Sequence, residues 1–136
     1  MISRIKRAID ESQETVDLVM SLKRFLFGTK EVFAENHKKA WARSVRFRLI
    51  VEKPKEATTA EKLAHYLRKN SLCKAHFLSD SPQAIMGIYD KKEAFITLSP
   101  QEGLFNSPAI WSENQSFITV IQDYFEHLWL TAMETL

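Results

Sequence analysis

The sequence predicts an α/β domain: a mixed, mostly parallel sheet flanked by helices, with a C-terminal hairpin and a long terminal helix. Three observations carry that prediction. Short β-branched runs alternate with helix-period segments through the first part of the chain, as right-handed crossover units require. Two apolar runs, Ile85–Tyr89 and Ala94–Leu98, then flank the polar break Asp90-Lys91-Lys92-Glu93, which suits a hairpin turn. Beyond them the C-terminal segment repeats apolar side chains at helical spacing.

Ile2, Ile5, Ala8 and Ile9 mark a first helix running to about Gln13, with Arg4, Lys6 and Arg7 on its outer faces. Thr15–Met20 reads as a short buried strand. From Leu22 the period is helical again, and Leu22, Phe25, Leu26, Phe33, His37, Ala40 and Trp41 share one broad face. Gly28 is expected to kink that helix or divide it. Val45–Val51 is the clearest strand, because β-branched and aromatic residues dominate it. Lys53-Pro54 breaks the pattern, and Thr58-Thr59-Ala60-Glu61 has the form of a capping box. The helix it opens carries Leu63, Ala64 and Leu67 inward and ends near Asn70. Lys74–Leu78 is a short strand, and Ser79–Pro82 is the turn before the hairpin. Pro100–Pro108 is expected to be an irregular loop. The final helix starts at Asn114 or Gln115 and presents Phe117, Val120, Ile121, Tyr124, Phe125, Leu128 and Ala132 as one stripe. The expected order is α-β-α-β-α-β-β-β-α, a single domain over residues 1–136.

Composition narrows the function classes. A chain of 136 residues with 45% hydrophobic and 26% charged residues builds an ordered core. A formal charge of +2 is too small to argue for nucleic acid by itself. The single cysteine, Cys73, excludes an intrachain disulfide framework and fits a reducing compartment. His37, His65, His76 and His127 form neither H-x3-H nor H-E-x-x-H spacing, so neither a metal nor a cofactor is expected. No apolar run approaches the roughly 20 residues of a membrane span, and no secretory signal is recognisable. The expected location is cytoplasmic.

Two groups of residues are candidates for binding. Lys38, Lys39, Arg43, Arg46, Arg48, Lys53 and Lys55 form a dense basic group. Arg46 and Arg48 alternate with Val45, Phe47 and Leu49, so both point to one side of their strand. In a sheet covered on both faces they need an answer. Either Arg43, Arg46 and Arg48 hold an anion, or they pair with carboxylates of the chain itself. Trp111 and Asn114 begin the last helix, with Ser112 as another cap. Trp111 either plugs the core or borders a ligand site.

Ala40-Trp-Ala-Arg-Ser-Val-Arg-Phe-Arg-Leu-Ile50, Gly87-Ile-Tyr-Asp90, Glu93-Ala-Phe-Ile96, Ala109-Ile-Trp-Ser-Glu-Asn114 and Tyr124-Phe-Glu-His-Leu-Trp129 follow one another over nearly the whole chain. In that order and spacing the chain resembles the phospholipase-D-like effector domain of the TrmB family of archaeal and bacterial transcriptional regulators. Enzymes of the phospholipase D superfamily carry H-x-K-x4-D on the first strand of such a hairpin. With Asp90 at the Asp place, Gln83 stands at the His place and Ile85 at the Lys place. An amide cannot form a phosphohistidine, and an alkyl group holds no phosphate charge. Asp90 is read as accepting backbone hydrogen bonds at its turn.

The resemblance therefore implies no enzyme but an effector-sensing and dimerisation domain of a transcriptional regulator. It implies a two-fold homodimer whose crevice, lined by Gln83, Ile85, Asp90, Trp111 and Asn114, takes a small-molecule effector. Regulators of that family usually begin with a winged helix-turn-helix, so DNA contact is expected only through such a module, absent from this chain. Sugar-sensing members carry a further β-rich module, without which a sugar ligand is not implied. Two alternatives stand beside this reading. One is a peripheral scaffold module that binds anionic phosphate headgroups through the basic group. The other is a divergent phosphodiesterase or nuclease half-domain.

Overall fold

The β-branched run Thr15–Met20 forms a central strand, and the sheet is ordered around it. The computed structural model describes residues 2–97 and 108–133, the side chains of residues 29 and 30 excepted. Helix α1 spans Ile2–Glu11, strand β1 Thr15–Met20, and a single helical turn α2 Leu22–Arg24. A π-helical stretch over Phe25–Val32 leads into α3, Ala34–Ala42. Then come β2 at Arg46–Glu52, α4 at Ala57–Lys69 and β3 at Cys73–Leu78. The hairpin strands β4 and β5 are Ile85–Tyr89 and Glu93–Thr97, followed by β6 at Ala109–Ser112 and α5 at Gln115–Thr131. The loop expected over Pro100–Pro108 lies, Pro108 apart, outside the described residues.

The spatial order is β3-β2-β1-β4-β5-β6. β1, β2 and β3 pair in parallel, whereas β4, β5 and β6 join antiparallel. The sheet is mixed as expected, but the sixth strand was not foreseen: Ala109–Ser112 pairs with β5 instead of opening the last helix. Among the described residues it is an edge strand, where four residues suffice because only one flank needs pairing.

Both faces of the sheet are covered. Val16, Leu18, Phe47, Leu49, Cys73, Phe77, Ile85, Tyr89 and Phe95 meet Ile5, Ile9, Phe25, Phe33 and Leu63 of the helices on one face. Val19, Ile50, Met86, Ile88 and Ala94 meet Ile118, Ile121 and Phe125 of α5 on the other. The expected stripe of α5 is thus rotated. Val120 and Tyr124 are exposed, and Ile118 is buried in their stead. Helix α5 has two adjacent apolar stripes, and the one centred on Ile121 and Phe125 faces the sheet.

Three local details set positions that matter below. The kink expected at Gly28 is a π-helical stretch, where the Phe33 N–H donates to the Gly28 carbonyl five residues back. Helix α3 ends on Ser44 at φ 68°, with Ser44 N–H bonded to Trp41 O and Val45 N–H to Ala40 O. That is a Schellman cap with serine where glycine is favoured. Helix α4 starts earlier than the capping box implied: Glu56 is its N-cap, without a side-chain bond, and Thr58 lies in the first turn. Ala57 and its neighbours tolerate helical dihedrals, so the chain coils as soon as Pro54 releases it.

Candidate functional site

The hairpin fixes the three positions of the degenerate motif. Gln83 is exposed before β4, Ile85 is 1% exposed within the core, and Asp90 follows the end of β4. At about 3.3 Å per residue, the seven-residue span from Gln83 to Asp90 exceeds about 20 Å in extended chain. One chain therefore does not bring Gln83 and Asp90 into a common crevice, and Ile85 faces inward. The crevice expected from Gln83, Ile85, Asp90, Trp111 and Asn114 was one shared by two copies, which a single chain does not display.

Asp90 has a defined task at its own end. Both it and Lys91 adopt positive φ (54° and 56°), and the Lys92 N–H donates to the Tyr89 carbonyl at 3.0 Å. These are the marks of a tight hairpin turn. The Asp90 carboxylate accepts from the backbone N–H groups of Gln13 (2.9 Å), Glu14 (2.8 Å) and Thr15 (3.0 Å). The Asp90 N–H in turn donates to the Thr15 carbonyl at 2.8 Å. The aspartate thus clamps the α1–β1 connection onto the turn.

Trp111 is accounted for by packing. Its ring stacks on Phe95, lies parallel to Tyr89, and carries the Arg4 guanidinium 4.6 Å from its centroid. Its Nε1–H donates to Glu93 Oε2 at 2.8 Å. Asn114 caps α5, accepting from the Phe117 N–H at 3.1 Å. Beneath these rings the hairpin needs Gly87, where an added Cβ would lie 2.6 Å from Phe95 Cε1.

The three arginines of the basic group divide. Arg43 donates to the carbonyls of Ile9 and Ser12, both at 2.9 Å, at the C-terminal end of α1. It serves the helix end, where carbonyls without an intrahelical partner await a donor. Arg48 lies on the α5 face of β2, between two carboxylates. Its Nε and Nη2 donate to Asp17 at 2.9 and 3.0 Å, and its Nη1 and Nη2 donate to Glu126 at 2.8 and 2.6 Å. Gln122 donates to both acids, at 3.1 Å to Asp17 and 2.8 Å to Glu126. Arg48 also lies over the rings of Phe125 and Trp129. For Arg48 the internal pairing replaces an anion. Glu126 of α5 is its second partner. The Glu126 hydrogen bond raises the Arg48 pKa above its ordinary value, and the Arg48 hydrogen bond holds the Glu126 carboxyl below its own.

Arg46 is exposed and has no ion pair among the described residues. It borders a groove of about 580 Å³ at the amino ends of β1, β2 and β3, beside Asp17, Arg48, Lys74, Lys91 and Glu126. Lys74 and Lys91 did not stand out in the sequence, because no local pattern ties residues 46, 74 and 91 together. The readable signal was Asp17, a carboxylate in an otherwise apolar strand that requires a cation.

The histidines supply no nucleophile to this groove. His76 stacks on Trp129 with centroids 3.5 Å apart, and its Nδ1 meets the Trp129 carbonyl at 2.7 Å. His37 is buried among Phe33, Trp41 and Phe47, and burial lowers its pKa to about 4. Its Nδ1 lacks a hydrogen-bond partner among the described residues. Burial also raises the Cys73 thiol to about 12, which leaves it unreactive. Among the described residues no group of three metal-binding side chains converges, and no helix is long and apolar enough to cross a membrane.

Helices on both faces of this sheet, a hairpin after three parallel strands and a long closing helix define a phospholipase-D-like half-domain. Solved structures place the fold in that class. TrmBL2, described as an archaeal chromatin protein with a novel mode of DNA binding, matches at TM-score 0.70 and 21% identity, over 98% of this chain and 49% of its own. NucT from Helicobacter pylori matches at TM-score 0.73 and 14% identity, over 98% of this chain and 89% of its own. Nuc from Salmonella typhimurium, a phospholipase D family member, matches at 0.71 and 11% identity, over 97% and 88% respectively. This chain spans about half the length of TrmBL2. No protein-family model and no curated sequence matches it.

Proposed function

We propose that the chain is a non-catalytic sensing and pairing domain of a DNA-associated regulator. The observation that carries this reading is the fate of the three hairpin positions. Where a hydrolase of this fold would need a nucleophile and a cation, the chain has an exposed amide and a core isoleucine. The third position, Asp90, already accepts three backbone hydrogen bonds. The likeness to TrmBL2, itself DNA-binding, supports the regulatory side of the reading.

Pairing is supported by α5, which leaves Val120, Tyr124 and Leu130 exposed. A second copy about a two-fold axis would cover that stripe. An effector then acts by favouring one relative orientation of the two copies.

The test combines hydrolysis and mass. Bis(p-nitrophenyl) phosphate is expected to remain intact, and light scattering is expected to give twice the chain mass, halved by Val120→Glu. Turnover that disappears with Gln83→Ala or His76→Ala would reverse the non-catalytic reading. A wild-type monomer would remove pairing. The scaffold alternative is separated by flotation with phosphatidylserine vesicles, from which the chain is expected to stay apart.

A further inference from the structure

The strand register brings several cations together at one end of the sheet. Arg48 on β2 sits directly across from Lys74 on β3, and both side chains share the α5 face with Arg46. Like charges facing each other across a strand pair are destabilising. Lys91 reaches the same groove from the hairpin turn, close enough to Glu126 to help hold its carboxyl low.

The two carboxylates that border the groove are engaged by Arg48, not by Arg46, Lys74 or Lys91. Asp17 and Glu126 are both bonded to Arg48 and to Gln122. Arg46, Lys74 and Lys91 form no ion pair among the described residues, and all three are exposed. Helix α5 crosses β2 at Arg48, which its Glu126 holds, while Arg46 and Lys74 at the amino ends of β2 and β3 stay exposed beside the groove.

We propose that this groove is a binding site for a small phosphorylated organic anion, held by Arg46, Lys74 and Lys91. Arg48 is the fixed floor of the site, oriented by two acids that more than offset its charge, so the anion would be held by the three exposed cations. Thr15 and Ser71 stand at the wall, with hydroxyls suited to a phosphate or sugar oxygen. A volume of about 580 Å³ suits a metabolite-sized ligand. A nucleic-acid backbone would instead engage a longer track of cations, on the order of six to ten phosphates. The site is remote from Gln83, and it does not depend on whether the domain is catalytic or pairs.

Calorimetric titration of the whole chain with inorganic pyrophosphate at low salt tests the site. Saturable binding is expected, with Kd raised tenfold or more by Lys74→Glu and by Arg46→Glu. Lys6→Glu, on the opposite side of the sheet, is expected to leave Kd unchanged. Should a reversal fail to fold, Lys74→Gln and Arg46→Gln, each checked for an unchanged melting temperature, serve in its place. No binding by the wild type overturns the site, as does equal weakening by Lys6→Glu. Duplex DNA bound through Lys74 in preference to pyrophosphate would assign the groove to nucleic acid and overturn the small-anion proposal.

Discussion

Asp90 and His37 illustrate opposite fates of a polar side chain. Asp90 satisfies three backbone donors that would otherwise face the turn unpaired. Asp90→Ala is expected to destabilise the fold by about 2–3 kcal/mol in urea unfolding. Asp90→Asn should cost less, since one carbonyl oxygen can still accept from Glu14 and Thr15. His37 is held neutral by burial, with its pKa lowered to about 4 from 6.5. The unfolded chain therefore takes up the proton first. Stability is complete above pH 6.5 and falls as the pH drops towards 4. By pH 5 that loss is on the order of 2 kcal/mol. His37→Phe, surrounded by rings, is expected to flatten this part of the stability profile, measured by denaturation from pH 8 to pH 5. An unchanged slope would show that His37 does not titrate there.

Elements were legible where one physical requirement dominates. The strand at Thr15–Met20 follows from β-branched residues that must be buried, and β2, β3 and the hairpin fall within a residue or two of expectation. Helix α5 was legible as a helix but not in its rotation, since Val120 and Tyr124 compete with Ile118 and Phe125 for the sheet. Only the tertiary partner decides such a contest. β6 was missed because four residues beside a proline carry too little pattern, and Trp111 suggested a helix start. The cap at Ser44 offers a test at this scale. Ser44→Gly removes the steric penalty at φ 68° and is expected to stabilise the protein by about 1 kcal/mol. That corresponds to a rise of about 3 °C in melting temperature, read by differential scanning calorimetry. A fall would mean that the serine is needed for more than its backbone.

At the scale of the whole molecule, the Asp17–Arg48–Glu126 cluster ties two parallel strands to the terminal helix. Sequence reasoning allowed that Arg48 pairs internally, yet it offered no way to choose Glu126, 78 residues away. Nothing local records that α5 crosses β2 at Arg48, and the exposed groove beside it was hidden for the same reason. Glu126 has a lowered pKa, so its contribution is complete above the ordinary 4.5 and is lost as the pH falls through the lowered value. At pH 7, Glu126→Gln is expected to melt below the wild type, and the gap should close in acid. A gap independent of pH would show that the carboxylate charge is not what Arg48 requires.

The last described residue has a consequence for self-association. Beyond α5, Met133 exchanges two backbone hydrogen bonds with Phe77, at 2.6 and 2.9 Å, on the outer border of β3. A foreign strand arriving at that border finds the backbone groups of Phe77, near the carboxyl end of β3, already taken, which hinders stacking of sheets end upon end on that side. Copies that meet through β6 would leave two such borders outermost, each partly occupied by its own Met133.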